Sequence, residues 1–448
     1  MTYLFNHKQI GDTMKKMILL LALVLVIALG KAYSQGWTKV GNFPNDSFMG
    51  STGGHGVAVD PDGKVWCMFY GNTDSVFVAS TSSWKACRAV YVFNADGTPA
   101  SFSPIKTITV SGVTDTLYNS NRGLRADNNG NILVSSYDVL YRINYQTGNG
   151  MAKVQPVAGM TLTAAAVDVA GNVFTAPVIP GNPIGVYTTD FSFIGNAVVA
   201  SIGYSRTLEV SNNGNTIYWT GYTNNKVYVY SRPDEFSPFE LKDSVLFGFA
   251  CESISWQPNR KLLWASSGSG LTLPNADPDH VTYWDNATWY AWNPLTNTIV
   301  DSIKWVFNTP GSPDERPRGI AFSPNGRFAY ITCFGGSTYP AFQKFENPNW
   351  TSVDEEGQVV LNGYKLSQNY PNPFNPSTKI SFELPMSGYT TLKVYDMLGR
   401  EVAVLVDKEL TSGSHSVNFN AANLASGTYI YQLNVNGTRI TNKMVLLK

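Results

Sequence analysis

Six short stretches of this 448-residue chain share one pattern, and the residue just ahead of each is of a type that does chemistry. The stretches read GVAVDPDGKVWCM (56–68), GLRADNNGNILVS (123–135), AAAVDVAGNVFTA (164–176), TLEVSNNGNTIYW (207–219), SISWQPNRKLLWA (253–265) and GIAFSPNGRFAYI (319–331). The residues ahead of them are His55, Arg122, Thr163, Arg206, Glu252 and Arg318. Five of these six can carry charge, although only 14% of the chain is charged. Guanidinium groups bind carboxylates and phosphates through paired hydrogen bonds. If the six positions meet, His55, Arg122, Arg206, Glu252 and Arg318 form either a site for an anionic or polyhydroxylated ligand or an Arg–Glu network that packs one end of the fold. No GxSxG, P-loop or dinucleotide fingerprint stands in a fitting context, so no catalytic residue is assigned. Four scattered histidines and no CxxC give no metal or cofactor site either. DNNGN (127–131) has the look of a calcium loop without its downstream Glu, and reads as a turn.

The elements that would bring the six positions together follow from the repeat itself. Each stretch alternates apolar residues, passes through a polar turn usually ending in Gly, and resumes as a second apolar strand. The starts lie 67, 41, 43, 46 and 66 residues apart. Three of the intervals match a four-stranded propeller blade of about 40–45 residues. The two long intervals hold insertions near 71–85 and 268–286. A third strand candidate follows each hairpin: AVYVFNADG, VLYRINYQTG, GVYTTD, KVYVYSRPD, TWYAWNPLTN and AFQKFEN. SIKWVFN (302–308) is a candidate fourth strand. The expected fold class is all-β, with a closed six-bladed β-propeller followed by a small Ig-like antiparallel β-sandwich. The last unit runs out of chain after Asn347, so 36–43, GWTKVGNF, is expected to supply its missing strand. In such a ring the first strand of each blade lines the channel, and the small residue at each repeat start is expected to leave space there. Tyr283, Trp284, Trp289, Tyr290 and Trp292 crowd the fifth unit, either as strand-packing core or as a surface that stacks on sugar rings.

Composition sets the compartment and excludes partners. Lys+Arg equals Asp+Glu at 32 each, which disfavours nucleic acid. Lys15 and Lys16, the apolar run 17–29 and Ala32-Tyr33-Ser34 together fit an export signal over residues 1–34, with Met14 as an equally serviceable start. The run is too short to stay as a transmembrane anchor after signal cleavage. No cysteine precedes Cys67, so no lipid-attachment site follows the run. Cys67, Cys87, Cys251 and Cys333 are either disulfide partners or buried apolar residues. Residues 35–349 are then expected to be the propeller, 350–363 a polar linker and 364–448 the second domain.

Within 36–349 the chain resembles six-bladed propellers of the NHL and gluconolactonase-like groups. Their lactonase members hold a divalent metal with a Glu and Asn/Asp side chains, and Glu252 in ESISW resembles that Glu. The Arg, His and Thr at the other positions depart from the pattern and disfavour a cation. A non-catalytic ligand- or glycan-binding module is therefore expected, with a hydrolase or lactonase in the central channel as the alternative. From Tyr364 onward, LSQNYPNPFNPSTKISFELP, LKVYDMLGREVAVLV, LASGTYIYQL and TNKMVLLK closely resemble the C-terminal sorting domain of the type IX secretion system of Bacteroidetes-related bacteria. The resemblance implies export through the periplasm to the outer cell surface or medium, with the type IX machinery as partner through 364–448. It also implies that this domain is commonly removed at the surface and that many cargoes become attached through lipopolysaccharide. The Pro/Asn-rich 368–378 is expected to be a rigid extended lead-in to the sandwich, anchored by Tyr370 and Phe374.

Overall fold

The computed structural model describes residues 36–50, 52–258, 260–268, 276–277, 282–308, 315–335, 339–347, 365–384, 388–410, 413–435 and 438–448. The expected signal segment and linker lie outside them. Among the described residues six blades are built from antiparallel strands. The first blade contains Gly54–Val59, Val65–Phe69 and Val90–Phe93, with Ile105 bridging Val90 at its outer side. The second contains Asn121–Ala126, Ile132–Ser136, Val139–Ile143 and Gly150–Val154, and the third Ala166–Val167, Val173–Thr175, Ile184–Tyr187 and Phe193–Val198. The fourth runs Leu208–Val210, Thr216–Gly221, Lys226–Ser231 and Glu240–Val245; the fifth Ile254–Trp256, Leu263–Ser266, Thr288–Asn293 and Thr298–Lys304. The sixth has Arg316–Phe322, Phe328–Phe334 and Phe342–Glu346 from its own stretch of chain. Its fourth strand is Thr38–Asn42, paired antiparallel with Phe342–Glu346, and Phe43 N–H donates to the Phe342 carbonyl at 2.9 Å. The ring is thus fastened by the start of the described chain.

The polar turns are explained by their first residue. Asp60 Oδ1 accepts from the N–H groups of Asp62 and Lys64, and Asp127 Oδ1 from those of Asn129 and Asn131. Ser211 and Ser323 Oγ do the same for Thr216 and Phe328. DNNGN is accordingly a hairpin turn, closed by Gly130 at φ +82°.

The small residues at the repeat starts have a different cause from the one expected. They do line the channel, but what demands them is contact between neighbouring inner strands. A Cβ on Gly123 would lie 2.3 Å from Ala164 Cα, and one on Gly56 3.1 Å from Leu124 N. Ala164 N–H donates to the Arg206 carbonyl at 2.9 Å, so the third and fourth blades join directly at the hub. Apolar side chains fill the space between blades: Trp66, Leu124 and Val134 between the first and second, and Trp264, Trp289 and Ile320 between the fifth and sixth.

Several expectations need correcting. The fifth blade's last strand is Thr298–Lys304, not 302–308, because the chain turns inward after Lys304 to bury Trp305 against Glu315. Trp289, Tyr290 and Trp292 are buried strand-packing residues, and Trp284 packs on Phe249 at 4.4 Å. All four cysteines are buried free thiols.

The second body is a sandwich. One sheet holds Lys365–Leu366, Ser377–Leu384 and Gly413–Asn420; the other holds Glu401–Leu410, Gly388–Tyr395, Gly427–Val435 and Thr438–Leu446. Phe374, Ile380, Phe382, Leu392, Tyr431 and Met444 lie in its core. Of the two expected anchors, Phe374 is buried but Tyr370 is 82% exposed. Tyr370 exchanges backbone hydrogen bonds with Lys379, which turns its neighbour Asn369 inward instead. Asn369 N–H donates to the Tyr431 hydroxyl, and its amide donates to the Pro371 carbonyl and to Thr378 Oγ1.

Candidate functional site at the channel mouth

Where the first blade begins, its inner strand carries one residue too many for its partner. The pairing slips between Gly54 and Gly56, and His55 is the extra residue. The same slip falls between Asn121 and Gly123 and between Pro317 and Gly319, leaving Arg122 and Arg318 as the extra residues. A bulge re-aims a side chain out of the alternation of its strand. Three bulges in one register therefore turn His55, Arg122 and Arg318 toward the axis. Arg206 and Glu252 stand just ahead of their inner strands and point to the same place. All five line one pocket of about 350 Å³, open mouth included. Thr163 is buried but is not part of the lining.

Glu252 organises the pocket. Its Oε2 accepts from Arg206 Nε at 2.6 Å and forms an ion pair with Arg318. Arg318 is only 6% exposed and also donates to the Pro317 carbonyl. Burial lowers its pKa to about 10, against the pull of Glu252. Each arginine lies over an aromatic ring that ends or follows a second strand: Arg122 over Tyr70 at 5.0 Å, Arg206 over Tyr222 at 4.8 Å, Arg318 over Phe334 at 4.7 Å. Arg122 differs from the other two in its pairing. No described carboxylate pairs with its guanidinium, and its Nε is buried without a hydrogen-bond partner. Burial and the neighbouring Arg206 lower its pKa. His55 is 2% exposed and its Nδ1 lies 3.0 Å from the Arg122 carbonyl. Burial first, then Arg318, Arg122 and Arg206, hold its pKa well below the usual 6.5, so the ring is neutral.

A second set of contacts spans the channel from blade to blade. Arg125, from the second blade, crosses to the fifth, donating to Ser255 Oγ and to the Ile254 carbonyl at 3.0 Å, and pairs with Glu209 of the fourth at 2.9 Å. Burial raises the Glu209 pKa against the opposing pull of Arg125 and Arg260. The sequence reading passed over Arg125 and Glu209, although both stand two residues into the repeat register. It also passed over Tyr70, Tyr222 and Phe334, whose signal is an aromatic recurring where a second strand ends.

Among the described residues no three His, Cys, Asp or Glu side chains gather as a metal site. None of their helices is long and apolar enough to cross a membrane.

Comparison with known proteins decides the identity of the C-terminal body. Residues 368–447 match the family described as Secretion system C-terminal sorting domain. The sandwich is a secretion-system sorting domain. A sorting domain of this family implies export by the type IX system, to the cell surface or into the medium. No curated protein sequence matches the chain. Among solved structures the chain is similar to PorZ, described as an essential bacterial surface component of the type IX secretion system of Porphyromonas gingivalis. Identity there is 14% and the TM-score 0.37, over 93% of this chain and 59% of that one. It is also similar to a luciferin-regenerating enzyme, at 12% identity and a TM-score of 0.43 over 70% of this chain and 96% of that one. Raptor from Chaetomium thermophilum matches at 12% identity and a TM-score of 0.42, over 68% of this chain and 29% of that one. The chain thus spans 59% of the length of PorZ. The matched residues run from the Pro/Asn-rich lead-in to one residue past the last strand, Thr438–Leu446.

Proposed function

We propose that the protein is an exported, non-catalytic binding module. The sorting domain addresses it to the type IX machinery, and the propeller's mouth holds an anionic group of a small or carbohydrate ligand. The observation that carries this reading is the charge balance at the mouth: Arg122, Arg206 and Arg318 face one carboxylate, Glu252, which pairs with Arg206 and Arg318 and leaves Arg122 without one, while Arg125 in the same lining is paired with Glu209. Like charges in a partly desolvated pocket repel unless an anion compensates them. The lactonase alternative loses ground on the same residue. Glu252 is the one carboxylate of the pocket lining, and two arginines occupy it, so it is poorly placed to hold a cation or take a proton.

A second feature supports a ligand that extends out of the mouth. The hairpin Asp74–Val78 and Ser83–Cys87 rises from the same end, its base just past Tyr70. It presents Trp84 and Phe77, 69% and 50% exposed, with ring centroids 5.8 Å apart. Exposed aromatic faces of this kind stack on sugar rings.

The test is thermal unfolding of the protein in phosphate against sodium chloride of equal ionic strength. Phosphate binding the native state raises the melting temperature with the logarithm of its concentration. Arg122→Met, which strands no partner, is expected to abolish the rise. A melting temperature that no anion moves would overturn the reading.

A further inference from the structure

The mouth offers more than positive charge, and the proposal that follows rests on the anion-binding reading above. His55 and Arg122 flank the same ring: the imidazole centroid is 5.5 Å from that of Tyr70, and the guanidinium carbon lies 5.0 Å from it. The Arg122 carbonyl can only accept, so His55 Nδ1 carries the proton in the hydrogen bond between them. In a neutral imidazole that leaves Nε2 with the lone pair. The mouth therefore sets a hydrogen-bond acceptor beside an arginine without a carboxylate partner. The other charged groups facing His55 are Arg206, Arg318 and, through them, Glu252. Arg206 and Arg318 are held by Glu252, which leaves Arg122 as the seat for an incoming anion.

We infer that the mouth selects a ligand carrying an anionic oxygen pair next to a hydroxyl group. The carboxylate or phosphate oxygens accept from Arg122, and the adjacent hydroxyl donates to His55 Nε2. A bare anion satisfies the first contact alone. A hydroxy-carboxylate or a monohydrogen phosphate satisfies both, and a buried acceptor left without its donor costs binding. Sulfate has no proton to give at neutral pH and resembles acetate in this respect.

The inference has a two-ligand test. Acetate and glycolate carry the same charge and differ by one hydroxyl, as sulfate and monohydrogen phosphate differ by one proton. Calorimetric titration of the full protein at neutral pH is expected to give glycolate about tenfold tighter binding than acetate, and phosphate tighter binding than sulfate. Arg122→Met removes all four. His55→Phe keeps acetate binding and erases the glycolate preference. Should that substitution fail to fold, the wild-type protein decides by pH. An anion beside His55 raises its pKa again, and protonation turns Nε2 from acceptor into donor. The glycolate preference then shrinks, and sulfate binding strengthens, as pH falls from about 8 to about 5. Glycolate and acetate binding equally at every pH would overturn the hydroxyl inference while leaving the anion site intact. Binding of none of the four would overturn both.

Discussion

Glu252 Oε2 meets two guanidinium groups, one of them almost wholly buried, so removing its charge strands both Arg206 and Arg318. Breaking a buried pair by deleting one partner costs about 3 kcal/mol or more. Glu252→Gln is expected to lower the unfolding free energy by about that amount, read from urea denaturation. Phosphate should restore part of it by replacing the lost carboxylate. His55 gives a pH dependence of definite sign. Its folded pKa lies well below 6.5, so between the two values the unfolded chain binds a proton that the native chain refuses. Stability therefore falls as pH drops below about 6.5, by up to about 1.4 kcal/mol per pH unit from this one group. Urea midpoints across that window should decline less steeply in His55→Gln than in the wild type. At this scale the sequence was a good guide to place and a poor one to pairing. A charged residue ahead of each repeat is visible in the letters. That Glu252 occupies Arg206 and Arg318 and leaves Arg122 alone depends on which blades face one another, and no spacing encodes that.

The elements of the ring were legible because five of the six blades state their hairpin in the same terms, the fifth turning instead through Gln257 and Arg260. Asp60, Asp127 and Asp168 open their turns by binding the N–H groups that follow, and the glycine closing each turn takes a positive φ. The reason for glycine at the repeat starts was not legible, since it lies in contact between strands far apart in sequence. At Gly123 the neighbour is Ala164 backbone, which cannot move aside as a flexible side chain could. Gly123→Ala is expected to cost about 1–3 kcal/mol, seen as a lower melting temperature. The closing strand is a second such element. Deleting 36–43 bares the edge of Phe342–Glu346 and removes Phe43 from its place against Phe93 and Tyr330. Size-exclusion chromatography of that deletion should show association of the exposed edges; a monomer as stable as the intact protein would count against closure by this strand. The bulges at His55, Arg122 and Arg318 belong to this scale too. One extra residue per strand turns a blade position into a channel position, and the bare alternation of the sequence conceals it.

For the whole molecule, the address and the proposed binding site lie on separate parts of the chain. Removing 365–448 takes away the sorting domain without touching any propeller strand, so the truncated chain is expected to fold and stay in the periplasm of its host, as cell fractionation would show. In the propeller Arg125 of the second blade pairs with Glu209 of the fourth, and the mouth is rimmed by arginines on aromatic rings. The central claim is that this mouth holds an anion. A crystal of the protein grown or soaked with selenate, a tetrahedral anion that scatters anomalously, tests it most directly. An anomalous peak is expected within hydrogen-bond distance of the Arg122 guanidinium, with Arg206 and Arg318 still on Glu252. A mouth holding only water, with selenate bound elsewhere or nowhere, would contradict it.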